Sequence, residues 1–136
     1  MREPVNGTVA RGFLPYEYKG LPDSSVKLLA NPLAVSKEVL ERGQDRFNIY
    51  CSPCHGYFGE GDGRLKDYSR NLLHFIQRKS KEWTDGNIYH VITNGQNVMP
   101  SYAEQVSRDD RWAIIHYIRA LERSKDASEQ DVELAK

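Results

Sequence analysis

The stretch NIYCSPCHGYF, residues 48–58, constrains the fold and chemistry of this chain more than any other. It contains both cysteines of the chain, three residues apart, with a histidine directly after the second. Cys51 and Cys54 could form a redox-active dithiol of the thioredoxin type, or Cys51-x-x-Cys54-His55 could attach a haem covalently. A structural zinc site and a disulfide framework both need more ligands or cysteines than this motif supplies, so neither is expected.

Three segments have the apolar spacing of amphipathic helices. The first begins at the N-cap residue Ser36 and carries Gly43 on its apolar face. A mid-helix glycine costs about 1 kcal/mol relative to alanine, so we expect another backbone to pass close to it. The second segment spans 84–95 and stops at Gly95, and the third begins at Ser107. Since no convincing set of strands accompanies them, the predicted fold class is all-α.

The chain is expected to form one domain with a further segment at each end. Residues 1–34 contain four of the six prolines and no sustained period. They predict an extended N-terminal arm that lies along a surface, either its own or a partner's. Residues 35–123 carry the helices, and residues 124–136 predict a polar C-terminal tail. No apolar window is long enough to cross a bilayer, and the signal segment needed for export is expected to be absent from this chain.

The position of the cysteine motif decides between its two chemistries. A thioredoxin-type dithiol lies at the N-terminus of a helix, where the helix dipole lowers the thiol pKa. Here the motif follows the C-terminal end of the first predicted helix, and no βαβ pattern surrounds it. We therefore expect one covalent haem c, held by thioethers to Cys51 and Cys54, with His55 as a ligand of the iron.

The second axial ligand of the iron has few candidates. Beyond the first residue the chain has one methionine, Met99, in a loop after the second predicted helix. A thioether ligand favours ferrous iron, so a His55/Met99 pair suits electron transfer. His74 is the main alternative to Met99. His90 is expected at the boundary of the core, and His116 on the solvated face of the last helix.

Other residues are candidates for the haem edge and for partners. Partly buried haem propionates need hydrogen-bond donors, and four residues are predicted to supply them: Arg64, Arg70, Trp83 and Tyr102. Trp112 lies away from the predicted helix pairing, which indicates either packing at the haem edge or contact with a partner. The 19 basic and 19 acidic residues balance, so we expect no nucleic-acid partner.

The order of these motifs resembles a class I cytochrome c. In that family a glycine and an aromatic residue of the first helix pack against the last helix. Gly43 and Phe47 match this pair, and Ile114, Tyr117 and Ile118 match their partners. The resemblance implies a class I cytochrome c fold around one haem, and an electron carrier that is not an enzyme by itself.

Four sequence blocks narrow the resemblance: EPVNGTVARGF, VLERGQDRFNIYCSPCHGYFGEGDG, VITNGQNVMPSYAEQV and DRWAIIHYIRAL. They are most similar to the monohaem cytochrome c subunit of bacterial alternative complex III, a quinol-oxidising respiratory complex. This implies membrane association through other haem and membrane subunits, on the periplasmic side. It also implies electron transfer to a terminal oxidase or a soluble carrier. The basic segment after the GDG turn departs from the family's Pro-containing loop, and the family's lipidated cysteine is absent.

Two other functions remain open at the level of sequence. The first is a diffusible class I cytochrome that shuttles electrons without a permanent partner, which leaves the N-terminal arm unexplained. The second is a haem enzyme or gas sensor with an open sixth coordination site, against which Met99 argues.

Overall fold

The computed structural model describes residues 5, 7–8, 15–21, 26–67 and 82–134. Within these residues five helices follow one another: α1 Lys37–Tyr50, α2 Ser52–His55, α3 Asp85–Asn94, α4 Arg108–Lys125 and α5 Glu129–Leu134. Within the described ranges, β-type pairing is limited to an isolated bridge between Gln96 and Met99. The predicted all-α class is therefore confirmed. Among the helices described here, none has the length and apolar character needed to cross a membrane.

Side-chain caps fix the N-termini of the three long helices, as the sequence predicts. The hydroxyl groups of Ser36 and Ser107 each accept a hydrogen bond from the backbone N–H three residues later, both at 3.2 Å. Thr84 and Asn87 form a reciprocal capping box at the start of α3. Each cap satisfies a backbone donor that the first helical turn leaves unpaired. The starts of these helices are therefore determined by residues close in sequence.

The crossing of α1 and α4 forms the centre of the core. A Cβ atom on Gly43 would lie 2.7 Å from the carbonyl carbon of Ala113, so this close approach requires glycine. One turn later, Phe47 is fully buried and meets the ring of Tyr117 edge-on, with 5.4 Å between the ring centroids. The predicted reason for a glycine in the middle of α1 is confirmed.

Helix α3 is buried on nearly all of its surface, which its amphipathic pattern does not predict. Every residue from 86 to 93 is buried. Tyr89 stacks on Trp112 of α4 with the ring centroids 4.1 Å apart. The hydroxyl of Tyr16 lies 2.9 Å from Nδ1 of His90 and so adds a contact from the N-terminal arm. Two separate neighbours, α4 and the arm, therefore cover this helix.

Residues 26–33 of the N-terminal arm lie along α3 and α4. Val26 is fully buried, and Asn31 donates from Nδ2 to the carbonyl oxygen of Trp112 at 3.0 Å. His116 donates from Nε2 to the carbonyl oxygen of Leu33 at 2.8 Å. These residues pack against their own domain. The boundary between residues 34 and 35 stays a prediction.

Three side chains that the sequence placed at or near the surface are covered instead. Trp112 is 6% exposed and stacks on Tyr89, so it does not offer a contact to a partner. His90 is buried rather than at the boundary of the core. His116 is half-buried and bonded to the arm rather than solvated. His90 and His116 are covered by the arm, which is remote in sequence and has no helical period that would reveal it. Trp112 is covered by α3, a helix that the sequence predicts without its packing partner.

The C-terminal residues contain more helix than the sequence indicates. Helix α4 continues to Lys125, and α5 follows at Glu129–Leu134. The hydroxyl of Ser128 accepts a hydrogen bond from the backbone N–H of Asp131, and Arg123 forms an ion pair with the Asp131 carboxylate. The tail is polar, as expected, but its described part is held against the end of α4.

Candidate functional site

The CSPCH motif occupies the junction of α1 and α2. The backbone N–H of Cys51 caps α1 by donating to the carbonyl oxygen of Phe47 at 2.8 Å, and Cys51 is also the N-cap residue of α2. Helix α2 is a single turn in which the N–H of His55 donates to the carbonyl oxygen of Cys51 at 2.9 Å. The end of α1 therefore fixes the position of the whole motif.

The loop after the motif folds back onto it. The N–H of Gly61 donates to the carbonyl oxygen of His55 at 2.8 Å, and the N–H of Leu65 donates to that of Pro53 at 2.9 Å. These two bonds tie the glycine-rich loop to both ends of the short helix. The backbone of the motif is thus held from both sides, which restricts the directions its side chains can take.

The imidazole of His55 has the properties of a metal ligand. His55 is 8% exposed, and burial lowers its pKa, which favours the neutral ring. Buried polar groups in proteins are nearly always hydrogen-bonded. In the described part of the chain, however, no residue forms a hydrogen bond with this ring. A neutral imidazole, with one nitrogen lone pair available, is the form that binds a metal ion.

The two cysteines do not have the environment of a redox dithiol. Both are free thiols of intermediate exposure. Burial, and after it the neighbouring Cys54, raises the pKa of Cys51 to about 12. A reactive dithiol needs a lowered thiol pKa, so the geometry opposes the thioredoxin-type interpretation. It leaves both sulfur atoms available for thioether bonds.

Met99 lies in a tight turn that is anchored to the end of α3. The backbone N–H groups of Gln96 and Met99 each donate to the other's carbonyl oxygen at 2.9 Å. Gly95 ends α3 with a φ of 75°, and the N–H of Tyr102 returns to the carbonyl oxygen of Ile92 at 3.0 Å. Met99 is partly buried and packs against the hydrophobic core. Its position is therefore set by backbone contacts on either side of it.

Tyr102 connects this segment with the cysteine motif. Its pKa is raised by burial and then by the proximity of Cys54 and Cys51. Its ring also meets that of Tyr50, the last residue of α1, edge-on with 6.4 Å between the centroids. The segment 99–102 therefore lies close to the residues that carry the motif.

The other residues predicted for the haem site lie in different surroundings or outside the described residues. Trp83 packs against the hydrophobic core, and its carbonyl oxygen accepts a hydrogen bond from Nη2 of Arg119 at 2.5 Å. Arg64 is exposed on the loop after the motif. Arg70 and His74 lie outside the described residues. The roles of all these residues, and of Met99, in haem binding stay predictions.

The donor set fits a haem c. Two free thiols and a buried imidazole that none of the described residues hydrogen-bonds lie within one helical turn. Tyr50, Trp83, Met99 and Tyr102 are partly buried and pack against the hydrophobic core, and Tyr102 lies near both cysteines. In a haem c the two thiols would form the thioether attachment, and the imidazole would be a ligand of the iron.

Comparison with known families gives the same result. The family model described as "Cytochrome C oxidase, cbb3-type, subunit III" matches residues 38–118, from α1 to most of α4. The chain belongs to this cytochrome c family. Its helical fold is a class I cytochrome c fold, and the family implies covalent haem c and electron transfer by this domain.

Solved structures include a relative in a protein complex. The chain is similar to a chain of the Kuenenia stuttgartiensis reducing HAO-like protein complex, with 29% identity and a TM-score of 0.53. The similarity covers 66% of this chain and 46% of that one, so this cytochrome spans about half the length of its relative. No functionally curated protein matches the sequence.

Proposed function

We propose that this cytochrome carries one haem c, bound through Cys51 and Cys54, with His55 and Met99 as the axial ligands of the iron. The observation that carries the proposal is the buried His55 ring, which none of the described residues hydrogen-bonds. The approach of Tyr102 to both cysteines supports it, because Tyr102 follows Met99 by three residues. When bound, the haem iron would alternate between ferrous and ferric states and so carry one electron.

The protein's own contribution to electron transfer follows from its contacts. The turn at 96–99 restrains the thioether of Met99, and the loop bonds to His55 and Pro53 restrain the motif. Fixed ligands keep the coordination of the iron similar in both oxidation states, which reduces the rearrangement that accompanies electron transfer. A sixth ligand from the protein also leaves no open position for a substrate or gas.

Substitution of Met99 tests the axial assignment. Met99→Ala should abolish the weak red absorption band of the Fe–S(Met) bond and allow carbon monoxide to bind the reduced protein. The haem should stay attached, since the thioethers are unchanged. Val98→Ala is a matched control, because Val98 is 65% exposed in the same turn. A Met99→Ala protein with an unchanged band would refute the assignment, and His74→Ala would then be the variant to examine.

We further propose that the protein is a subunit of a membrane quinol-oxidising complex of the alternative complex III type. It would lie on the periplasmic side and pass electrons to a terminal oxidase or a soluble carrier. Both comparisons support association with other proteins, since their printed names are those of an oxidase subunit and a protein complex. Three exposed apolar side chains also support it: Tyr57 and Phe58 follow His55 by two and three residues, and Val98 precedes Met99.

One observation favours the alternative of a diffusible carrier. The arm residue Tyr16 packs on His90 and Tyr89 of its own domain. This part of the arm is therefore already occupied within the cytochrome and is not free to hold a partner. An anchoring role would fall to other arm residues, which include the exposed Leu21 and Leu28.

Deletion of residues 1–14 separates the two functions. In the complex, this deletion should release the haem-stained protein from detergent-extracted membranes and leave its absorption spectrum unchanged. Tyr57→Ser with Phe58→Ser tests the exposed loop in the same assay. The absence of any co-purifying membrane subunit from the native protein would refute membership of the complex. Full co-purification of the membrane subunits with both variants would refute the roles given to the arm and to the exposed loop.

A further inference from the structure

We propose that Arg111 is the positioning residue for the Met99 ligand, because its buried guanidinium holds the segment 96–106 against α3 and α4. This inference rests on the proposed ligand role of Met99. Arg111 lies in the first turn of α4, where the sequence alone suggests an exposed side chain. In the structure it is 4% exposed.

The guanidinium of Arg111 bonds directly to the segment that follows Met99. Nε donates to the carbonyl oxygen of Val106 at 3.0 Å, and Nη2 donates to that of Ala103 at 3.1 Å. Nη1 donates to the hydroxyl of Thr93 near the end of α3 at 2.7 Å. Hydrogen bonds from charged donors are roughly twice as strong as those from neutral donors. One side chain therefore joins α4, α3 and the loop between them.

Thr93 relays this connection to the turn that contains Met99. Its hydroxyl, which accepts from Arg111, donates to the carbonyl oxygen of Tyr89 at 2.7 Å. Its carbonyl oxygen accepts a hydrogen bond from Oγ of Ser101 at 2.6 Å, two residues after Met99. The segment after Met99 is therefore bonded to α3 at Ser101, and to Arg111 at Ala103 and Val106.

The charge of Arg111 indicates that this role is more than packing. In the described part of the chain, no carboxylate forms an ion pair with Arg111. Burial lowers its pKa, and the guanidinium lies over the ring of Tyr89, 5.3 Å from the centroid. Burying a cation without a counter-ion is costly, so an apolar residue would fill this space more favourably. What arginine adds is its set of bonds to the loop carbonyl groups.

The proposal is tested by titrating the ferric holoprotein with imidazole, which competes with Met99 for the iron. Binding of imidazole is measured as the loss of the red Fe–S(Met) absorption band. Arg111→Gln should raise the apparent affinity for imidazole about tenfold, because Met99 is then easier to displace. Arg111→Lys keeps the charge but loses the planar guanidinium. Its affinity for imidazole should therefore lie between that of the wild type and that of Arg111→Gln. Arg119→Gln is the matched control, since this partly buried guanidinium of α4 bonds to Trp83, Asp85 and Glu122 instead. It should leave the affinity unchanged.

Each outcome of this experiment has one interpretation. Wild-type imidazole affinity in Arg111→Gln would overturn the proposal, as would an equal rise in the Arg119→Gln control. If Arg111→Gln does not retain haem, wild-type affinity in Arg111→Lys overturns it in the same way. Absence of the Fe–S(Met) band from the wild-type protein would refute Met99 ligation itself, so failure of the proposed function is distinguishable from failure of this inference.

Discussion

Substitution of Gly43 by alanine probes the helix crossing that organises the core. The new Cβ atom would lie 2.7 Å from the carbonyl carbon of Ala113, closer still to its oxygen, and 3.1 Å from Cβ of Tyr117. Carbon atoms pack at about 3.5–4.0 Å, so the helices would have to separate by about 1 Å. Alanine gains about 1 kcal/mol of helix propensity. Overpacking against backbone costs about 3 kcal/mol, so we expect a net loss of about 2 kcal/mol.

Guanidinium unfolding followed by helical circular dichroism measures this loss. With an m-value of about 4 kcal/mol/M, a loss of about 2 kcal/mol lowers the unfolding midpoint by about 0.5 M. Glu41→Ala is the control, because Glu41 is exposed on the same helix and its ion pair with Lys37 is exposed too. That variant should change the midpoint very little. A Gly43→Ala protein as stable as the wild type, or more stable, would refute the reasoning, because helix propensity would then act unopposed.

Two further predictions concern the N-terminal arm. In Gly86→Ala the new Cβ atom would lie 2.9 Å from Cβ of Leu29 and closer to the carbonyl oxygen of Val26. We expect the Leu29 N–H to exchange with solvent about tenfold faster, and unchanged protection would contradict this contact. Burial raises the pKa of Tyr16 to about 12, whereas an unfolded tyrosine titrates near 10. The folded state therefore retains a proton between these values, so this stabilisation is complete below about pH 10 and lost by about pH 12. Unfolding midpoints across that interval should fall less steeply in Tyr16→Phe, and equal slopes would contradict the prediction.

The parts of the fold that the sequence predicts depend on neighbouring residues. The caps at Ser36, Thr84 and Ser107 act within one turn, so a short pattern is sufficient to locate them. The close approach at Gly43 can also be predicted from the sequence, because a mid-helix glycine has an energetic cost that needs a compensating contact. The cysteine motif is similar, since its position relative to a helix end is a local property.

The parts that the sequence does not predict depend on remote covering. Trp112 and His116 lie on the face of α4 that a helical wheel assigns to solvent, yet Asn31 and Leu33 bond to that face. The burial of Arg111 is equally hard to predict, because charged residues in the first turn of a helix are usually exposed. No periodicity marks the arm as a covering segment, so only the packed structure identifies these residues as buried.

The contacts of the arm also determine when during folding they can form. Tyr16 pairs with a residue 74 positions later, and Asn31 and Leu33 pair with residues 81 and 83 positions later. Contacts across so much of the chain form slowly, because closing long loops costs entropy before any contact compensates for it. A ribosome must also release α4 before the arm can meet it. We therefore expect a late folding intermediate in which the helices and the cysteine motif are assembled, while the side of α3 and α4 that the arm covers is still exposed to solvent.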